Sequence, residues 1–307
     1  MDWHSVLWRT LAGIGAVKIL YDVIPFLYWV FFSKINLDQF RYGYVLVTGA
    51  TDGIGKSISR EFIKRGFKVI LVSRSLEKLV QVKQELNYEY PESEIQIIAS
   101  DFSESHKNPI KFYSNLHSQI QHFQVSILVN NVGTASVKMV HSEKWENIES
   151  MLGLNIYPLT MITHGLIKSF LLRFNETKQK SLVLNIGSLM DESIFPANSV
   201  YSATKRYNFF FSEGLRYEYK GKILFACIKP GLVKTKLTEA NKTSHLPLSV
   251  ESDLFAVEML AGLREGVNHG HWKHKVQGFF LNSAPYFLQI GIVRLLIDKA
   301  KKKGLIS

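Results

Sequence analysis

The stretch Tyr44-Val45-Leu46-Val47-Thr48-Gly49-Ala50-Thr51-Asp52-Gly53-Ile54-Gly55 is an apolar run that stops in a glycine turn and continues as helical sequence. Tyr44 to Thr48 predicts a strand and Ile54 to Arg65 a helix. With no side chains in the way, backbone amides at such a turn can approach a pyrophosphate at the helix N-terminus. The spacing is Gly-x3-Gly-x-Gly, unlike the Gly-x-Gly-x2-Gly of the common dinucleotide fingerprint. Its position at the first strand-to-helix junction gives it weight. Thr48, Gly49, Thr51, Asp52, Gly53, Ile54 and Gly55 are therefore candidate cofactor contacts.

Outward from this unit, strand and helix patterns alternate. Lys68 to Ser73, Glu94 to Ala99, Ser126 to Asn130, Ser181 to Ile186 and Leu224 to Ile228 predict strands. Leu76 to Tyr88, Asn108 to Gln121, about Glu143 to Phe174 and Ser202 to Tyr219 predict the intervening helices. The strands lack apolar–polar alternation, as expected when both faces of a sheet are covered. The expected fold is α/β, a Rossmann-type doubly wound parallel sheet forming a single catalytic domain. The expected organisation is an apolar anchor at 1–33, the catalytic domain at 34–278, and an apolar C-terminal extension with a basic tail at 279–307. Lys234 to Pro247 is polar and reads either as a loop over a site or as a surface connection.

The 307 residues are 46% hydrophobic, enough for a large core, with a formal net charge of +11. Lysines and arginines are spread along the chain; the dense cluster is Lys299 to Lys303. Basic nucleic-acid-binding patterns are absent, so no nucleic acid is expected as partner. A membrane surface, an acyl-CoA or a dinucleotide phosphate suits the sign better. Leu11 to Phe32 is apolar and aromatic, interrupted by Lys18 and Asp22. Its length is near the ~20 residues of a bilayer span. On a helix the two charges would share a face and could pair. A span and an interfacial helix both fit, while a cleaved signal peptide lacks its basic n-region and cleavage site. Membrane attachment is the expectation.

The one cysteine, Cys227, reads as a small buried hydrophobe. Asn175-Glu176-Thr177 and Asn241-Lys242-Thr243 have glycosylation spacing and are read as unmodified. Phe279 to Ile297 could line a substrate channel, touch a membrane or pack as an ordinary helix, and packing is favoured. Trp272, Phe279, Phe280, Tyr286 and Phe287 are read as packing residues too. His269, His271 and His274 are spaced closely enough for zinc. No cysteine or carboxylate set completes a site, so they read as a polar turn before the last strand, and no metal is expected.

Ser73-Arg74-Ser75 ends the second predicted strand. Folds that bind NAD usually place an acid here for the ribose 2′-hydroxyl, whereas an arginine accommodates a 2′-phosphate. Arg74 points to NADP(H), with Lys56 as added positive charge. Asp101, after the third strand, reads as an adenine contact or as a helix cap. Tyr201-Ser202-Ala203-Thr204-Lys205 sets a phenol and an ammonium about one helical turn apart. A free tyrosine has a pKa near ~10, and a nearby ammonium favours the phenolate and lowers that value. Ser188 follows the apolar run Ser181 to Ile186. Together these residues point to hydride transfer with tyrosine as proton donor.

In this order the motifs resemble the short-chain dehydrogenase/reductases over roughly Tyr44 to Gly278. The resemblance rests on the Thr48–Gly55 turn, Asn130-Asn131-Val132-Gly133, Asn155, Ser188, Tyr201 with Lys205, and Pro230-Gly231-Leu232-Val233-Lys234-Thr235. Val132 stands where the family mostly has alanine. The apolar N-terminal segment, Val72-Ser73-Arg74-Ser75 and Asn-Asn-Val-Gly are similar to the branch of very-long-chain 3-oxoacyl-CoA reductases and 17β-hydroxysteroid dehydrogenases.

The resemblance implies catalytic roles for four residues. Tyr201 would be the general acid, Ser188 the hydrogen-bond donor to the substrate carbonyl, Lys205 the ligand of the nicotinamide ribose, and Asn155 the holder of a relay water. It also implies that Asn131 lies on the adenosine side of the cofactor and Pro230, Gly231, Val233 and Thr235 near the nicotinamide. The implied activity is NADPH-dependent reduction of a lipophilic ketone: a long-chain 3-oxoacyl-CoA in fatty-acid elongation, or a steroid ketone. Catalytically silent relatives tend to lose one of the four residues, and all four are present. The branch also implies a homo-oligomer at the endoplasmic reticulum membrane, with its catalytic domain facing the cytosol. Its frequent C-terminal dilysine signal is not matched, because Gly304-Leu305-Ile306-Ser307 follows Lys301 to Lys303.

Overall fold

The computed structural model describes residues 2–32, 34–240 and 248–283, and parts of 287–298. Asn241-Lys242-Thr243 and the basic tail lie outside the described residues, as do Tyr286 and the side chains of Lys18 and Asp22. The chain divides into two compact units, Met1–Asn36 and Leu37–Ser307. The first is built on one helix, α1 (Trp3–Phe32). Among the described residues no helix is long and apolar enough to cross a membrane. The expected apolar anchor is therefore not shown.

The second unit is a seven-stranded sheet between layers of helix. Its strands are β1 (Tyr44–Thr48), β2 (Lys68–Ser73), β3 (Ile95–Ala99), β4 (Val125–Asn130), β5 (Ser181–Ile186), β6 (Ile223–Ile228) and, last in the chain, β9 (Gly266–Asn268). They lie in the order β3-β2-β1-β4-β5-β6-β9, and every neighbouring pair is parallel. A separate parallel pair joins β7 (Val233–Lys234) to β8 (Val250–Glu251). The helices are α2 (Gly53–Lys64), α3 (Leu76–Glu89), α4 (Pro109–Ile120), α5 (Trp145–Thr177), α6 (Ser199–Glu218), α7 (Lys236–Ala240), α8 (Ser252–Ala261) and α9 (Trp272–Ser283).

Local chemistry sets these boundaries. Asp52 caps α2 by accepting from the Gly53 amide at 2.8 Å. Ser75 caps α3 through the Lys78 amide, and Asn108 caps α4 just ahead of Pro109. Every residue of β4, β5 and β6 is buried, so these strands are largely apolar on both faces and their few polar side chains are hydrogen-bonded. Leu46, Ile70, Leu128, Val183 and Phe225 from the strands meet Phe170 of α5 in the core. Burying each such side chain stabilises the fold by about 1.5–3 kcal/mol.

Two sequence expectations change. Helix α6 begins at Ser199, so Tyr201 lies inside its first turn rather than before it. The three histidines follow the last strand instead of preceding it: β9 ends at Asn268 and α9 starts at Trp272. β9 is three residues long with no apolar run, which leaves nothing for periodicity to detect. The chain runs from β1 outward to β3 and then returns to β4 on the other side of β1. In open α/β sheets ligands sit outside the carboxyl ends of the strands at this reversal.

Candidate active site

The glycine turn occupies that reversal. Gly49 and Gly53 have φ of +65° and +51°, the left-handed region that favours glycine. A Cβ on Gly55 would fall on the Gly49 carbonyl and the Asn131 amide, and one on Gly53 would stand 2.8 Å from Thr235 Cγ2. The turn is thus closed from below by β4 and from above by the segment after β6. Asn131 Nδ2 donates to the carbonyls of Thr48 and Gly49 at 2.9 and 3.2 Å. Thr48 Oγ1 accepts from the amides of Asn131 and Val132 at 3.0 and 3.1 Å. Ile54 and Gly55 lie in the first turn of α2, where amides lack the full set of intrahelical acceptors. A phosphate group fits this cradle of bare backbone.

The four proposed catalytic residues come from three places. Ser188 follows β5, Tyr201 and Lys205 lie on α6, and Asn155 lies on α5. Ser188 Oγ accepts from the Met190 amide at 3.1 Å. Burial, the largest influence, pushes the Tyr201 phenol above its ordinary range; the hydrogen bond with Ser188 pulls it down, and the charge of Asp191 pushes it up. The sequence expectation was the opposite sign, a phenol lowered by Lys205. Desolvation wins because the phenolate loses more by leaving water than the Ser188 hydrogen bond returns. Lys205 is itself only 5% exposed, and burial lowers its pKa to about 8. Its Nζ lies 5.8 Å from the Tyr201 ring centre and donates to the Ile186 carbonyl at 2.8 Å.

Asn155 is buried, and both ends of its amide are engaged. Oδ1 accepts from the Thr134 amide at 2.8 Å, and Nδ2 donates to the Thr134 carbonyl and to Thr204 Oγ1. Its side chain ties the loop after β4 to α6. Beneath it runs a buried polar string. Asn130 Nδ2 donates to Thr163 and to Asn185 Oδ1, and Asn185 Nδ2 donates to Ser212 Oγ at 2.8 Å.

A cavity of about 290 Å³ joins the glycine turn to Ser188, Tyr201 and Lys205, with Asn155 outside its lining. It is lined by Gly49, Asp52, Gly53 and Ile54 from the turn, Asn131 after β4, and Ser188, Tyr201 and Lys205. Pro230, Gly231, Val233 and Thr235 close it from the segment after β6. Thr51 turns away to meet Ser73 Oγ at 3.0 Å, and Gly55 packs beneath the turn. Arg74 and Asp101 lie outside this cavity. Arg74 is exposed at the end of β2, and no hydrogen bond or ion pair engages it among the described residues. Asp101 acts as a cap, accepting from the Ser103 amide and hydroxyl at 3.0 and 2.8 Å. Lys56 is paired with Glu85 at 2.6 Å, so its charge is partly answered within the protein.

Sequence reading missed several neighbours. Val132, Gly133, Thr134, Lys236, Leu237 and Thr238 also line the cavity. Lys236 and Thr238 belong to the segment left between loop and connection, and Lys236 pairs with Asp52 at 3.2 Å across the turn. A buried ion cluster was missed too. Lys229 Nζ meets Asp191 at 2.7 Å and Glu192 at 3.5 Å, and His269 meets Glu192 at 3.1 Å. Burial raises the Asp191 carboxyl to about 6 despite Lys229. The His271 and His274 rings lie 5.6 Å apart but are engaged separately: His271 faces Glu258 at 3.5 Å, His274 bonds the Leu232 carbonyl, and burial lowers His274 to about 4. Among the described residues no group of three or more His, Cys, Asp or Glu could hold a metal ion.

The short chain dehydrogenase family model matches residues 43–245. Very-long-chain 3-oxoacyl-CoA reductase-A of Danio rerio is 33% identical over 296 residues, covering 94% of this chain and 89% of that protein. Putative steroid dehydrogenase 2 of Caenorhabditis elegans is 32% identical over 309 residues, covering 95% and 92%. Among solved structures, a short-chain dehydrogenase from Sphingobium yanoikuyae in complex with NADPH has a TM-score of 0.65 at 26% identity, covering 74% of this chain and 86% of that one. The chain belongs to the short-chain dehydrogenase family and is an oxidoreductase. Within that family it falls in the branch of very-long-chain 3-oxoacyl-CoA reductases and steroid dehydrogenases.

Proposed function

We propose that this oxidoreductase uses NADPH to reduce a lipophilic ketone, best a long-chain or very-long-chain 3-oxoacyl-CoA, to its 3-hydroxy product. The observation that carries the cofactor choice is Arg74, exposed at the end of β2 where an acid would favour NAD. The glycine cradle supports a dinucleotide of either kind, since a side chain at Gly55 would collide with its own turn. When bound, NADPH supplies the hydride to the carbonyl carbon. Tyr201 gives its proton to the carbonyl oxygen, and its high pKa keeps it protonated and ready to donate. Ser188 donates a hydrogen bond to the same oxygen and favours its growing negative charge. Lys205 holds an ammonium beneath Tyr201 and binds the nicotinamide ribose. Asn155 holds the loop and α6 together at the base of the relay. Arg74 would hold the 2′-phosphate, Asp101 would be the adenine contact, and Asn131 with Pro230, Gly231, Val233 and Thr235 would supply the remaining contacts.

The same reading puts the enzyme at the endoplasmic reticulum membrane, attached by the apolar segment at 1–33, with the domain at 34–278 facing the cytosol. The composition of that segment and the substrate class named for the Danio rerio relative support it. The test follows NADPH oxidation by detergent-purified protein with a series of 3-oxoacyl-CoAs and a panel of steroid ketones. Turnover on the acyl-CoA series, lost about 10²–10⁴-fold in Tyr201→Phe, is the expected result. Turnover confined to steroid ketones favours the other substrate class named among the relatives. Undiminished turnover in Tyr201→Phe overturns the mechanism.

A further inference from the structure

Helix α9 is built inside out. His274 and Gly278 are buried, as is His271 just before the helix, whereas Trp272, Val276, Phe279 and Phe280 are 58%, 46%, 66% and 66% exposed. The exposed four recur at i, i+4, i+7 and i+8, which puts them on one helical face. This overturns the expectation that Trp272, Phe279 and Phe280 pack into the fold. The inversion has a local cause. His274 reaches the Leu232 carbonyl, and its ring stands 2.7 Å from where a Gly231 Cβ would sit. The polar side of α9 therefore braces the segment after β6, and the aromatic side must face outward. The helix carries Lys273 and Lys275 and no acidic residue. Lys273 Nζ lies 6.0 Å from the Trp272 ring centre, so cation and aromatic present themselves together.

We infer that α9 is an interfacial helix that seats the catalytic unit on an anionic lipid bilayer. An apolar stripe bordered by lysines matches acyl chains below and acidic headgroups beside it. Lysine stems can lie along the apolar boundary while their charges stay with the headgroups. The chain's net charge of +11 favours the same surface. A second copy of the chain would meet the stripe with lysines against lysines, which disfavours that occupant. Gly231, on which the polar side of α9 packs, also lines the candidate active site, so the helix carries the cavity wall on one side and the apolar stripe on the other. The inference deepens the membrane reading above but is separable from the segment at 1–33.

The experiment labels full-length protein with an environment-sensitive fluorophore at Val276→Cys, and separately at Tyr88→Cys on exposed α3. Cys227 is fully buried and its thiol is pushed up to about 12, so it does not compete for label. Vesicles of phosphatidylcholine, with or without phosphatidylserine, carry brominated chains as quencher. The expected result is quenching at 276 and not at 88, stronger with phosphatidylserine and weakened by salt. Trp272→Ser/Phe279→Ser/Phe280→Ser should then lower vesicle partition at least tenfold, with turnover of a water-soluble ketone unchanged. Vesicle binding without quenching at 276 overturns the inference and leaves attachment through 1–33 standing. Equal quenching at both positions, or a spectral shift at 276 that tracks protein concentration without vesicles, also overturns it.

Discussion

The turn after β1 and the ends of β5 and β6 line one cavity at the carboxyl end of the sheet, yet they are made of opposite materials. The first is backbone: three glycines, a capping aspartate and amides turned toward a cavity. The second is side chain and charge: Ser188, Tyr201 and Lys205 at the cavity, with Asp191, Glu192, Lys229 and His269 behind them. A group that must be held can be held by fixed dipoles. A proton that must be moved needs groups whose ionisation burial can tune. The molecule keeps these two tasks on separate segments and joins them through Asn131 and Thr235.

The comparison can be broken at either pole. The largest effect on cofactor binding is expected at the backbone pole. Gly55→Ala should cost the fold about 1–3 kcal/mol through overpacking and remove measurable NADPH binding, read by calorimetry and urea melts. Retained affinity would mean that the cradle does not need bare backbone. At the charged pole, Lys229→Met strands Asp191 and Glu192 and should cost about 3–5 kcal/mol. Adding Asp191→Asn should return much of that loss in the same melts, and failure to do so breaks the cluster into independent parts.

A smaller effect is expected with pH. Lys205 titrates at about 8, so kcat/KM for reduction should be level below that value and fall with rising pH above it. Its depressed pKa also means that the unfolded chain binds the proton more tightly between pH 8 and the free lysine value near ~10.4. Folded-state stability from this group therefore rises as pH climbs through that window, and Lys205→Met should abolish the rise. The smallest effect is expected from Arg74→Ala, which should narrow the preference for NADPH over NADH about 10- to 100-fold, the range of a charge-assisted contact. Initial rates with the two cofactors measure it, and an unchanged ratio removes Arg74 from the cofactor site.

Legibility followed the same division. Strands β1, β2 and β5 lie on the residues where apolar runs predicted them, because a strand covered on both faces writes its burial directly into composition. The glycine turn was visible for a related reason: a backbone that must pass close to itself excludes side chains. The ion cluster was not visible. Lys229 and Asp191 sit just beyond strands, where charged residues ordinarily read as solvated loop, and only the tertiary fold brings them within 2.7 Å. The depressed Lys205 was half visible: its spacing from Tyr201 was clear, but the sign of the field depended on burial, which spacing does not report. α9 defeated the reading outright, since apolar periodicity indicates which residues share a face and not which way that face points.

The glycine turn has a consequence for how such an enzyme diversifies. A grip made of main-chain dipoles offers no gradual adjustments, because each substitution within it either collides or leaves the dipoles as they were. On the proposed reading, heritable change in cofactor choice is channelled to a position outside the cavity. Arg74, exposed and engaged by no other side chain among the described residues, is that position. A lineage could exchange one dinucleotide for another by changing it alone, leaving the rest of the ancestral scaffold untouched.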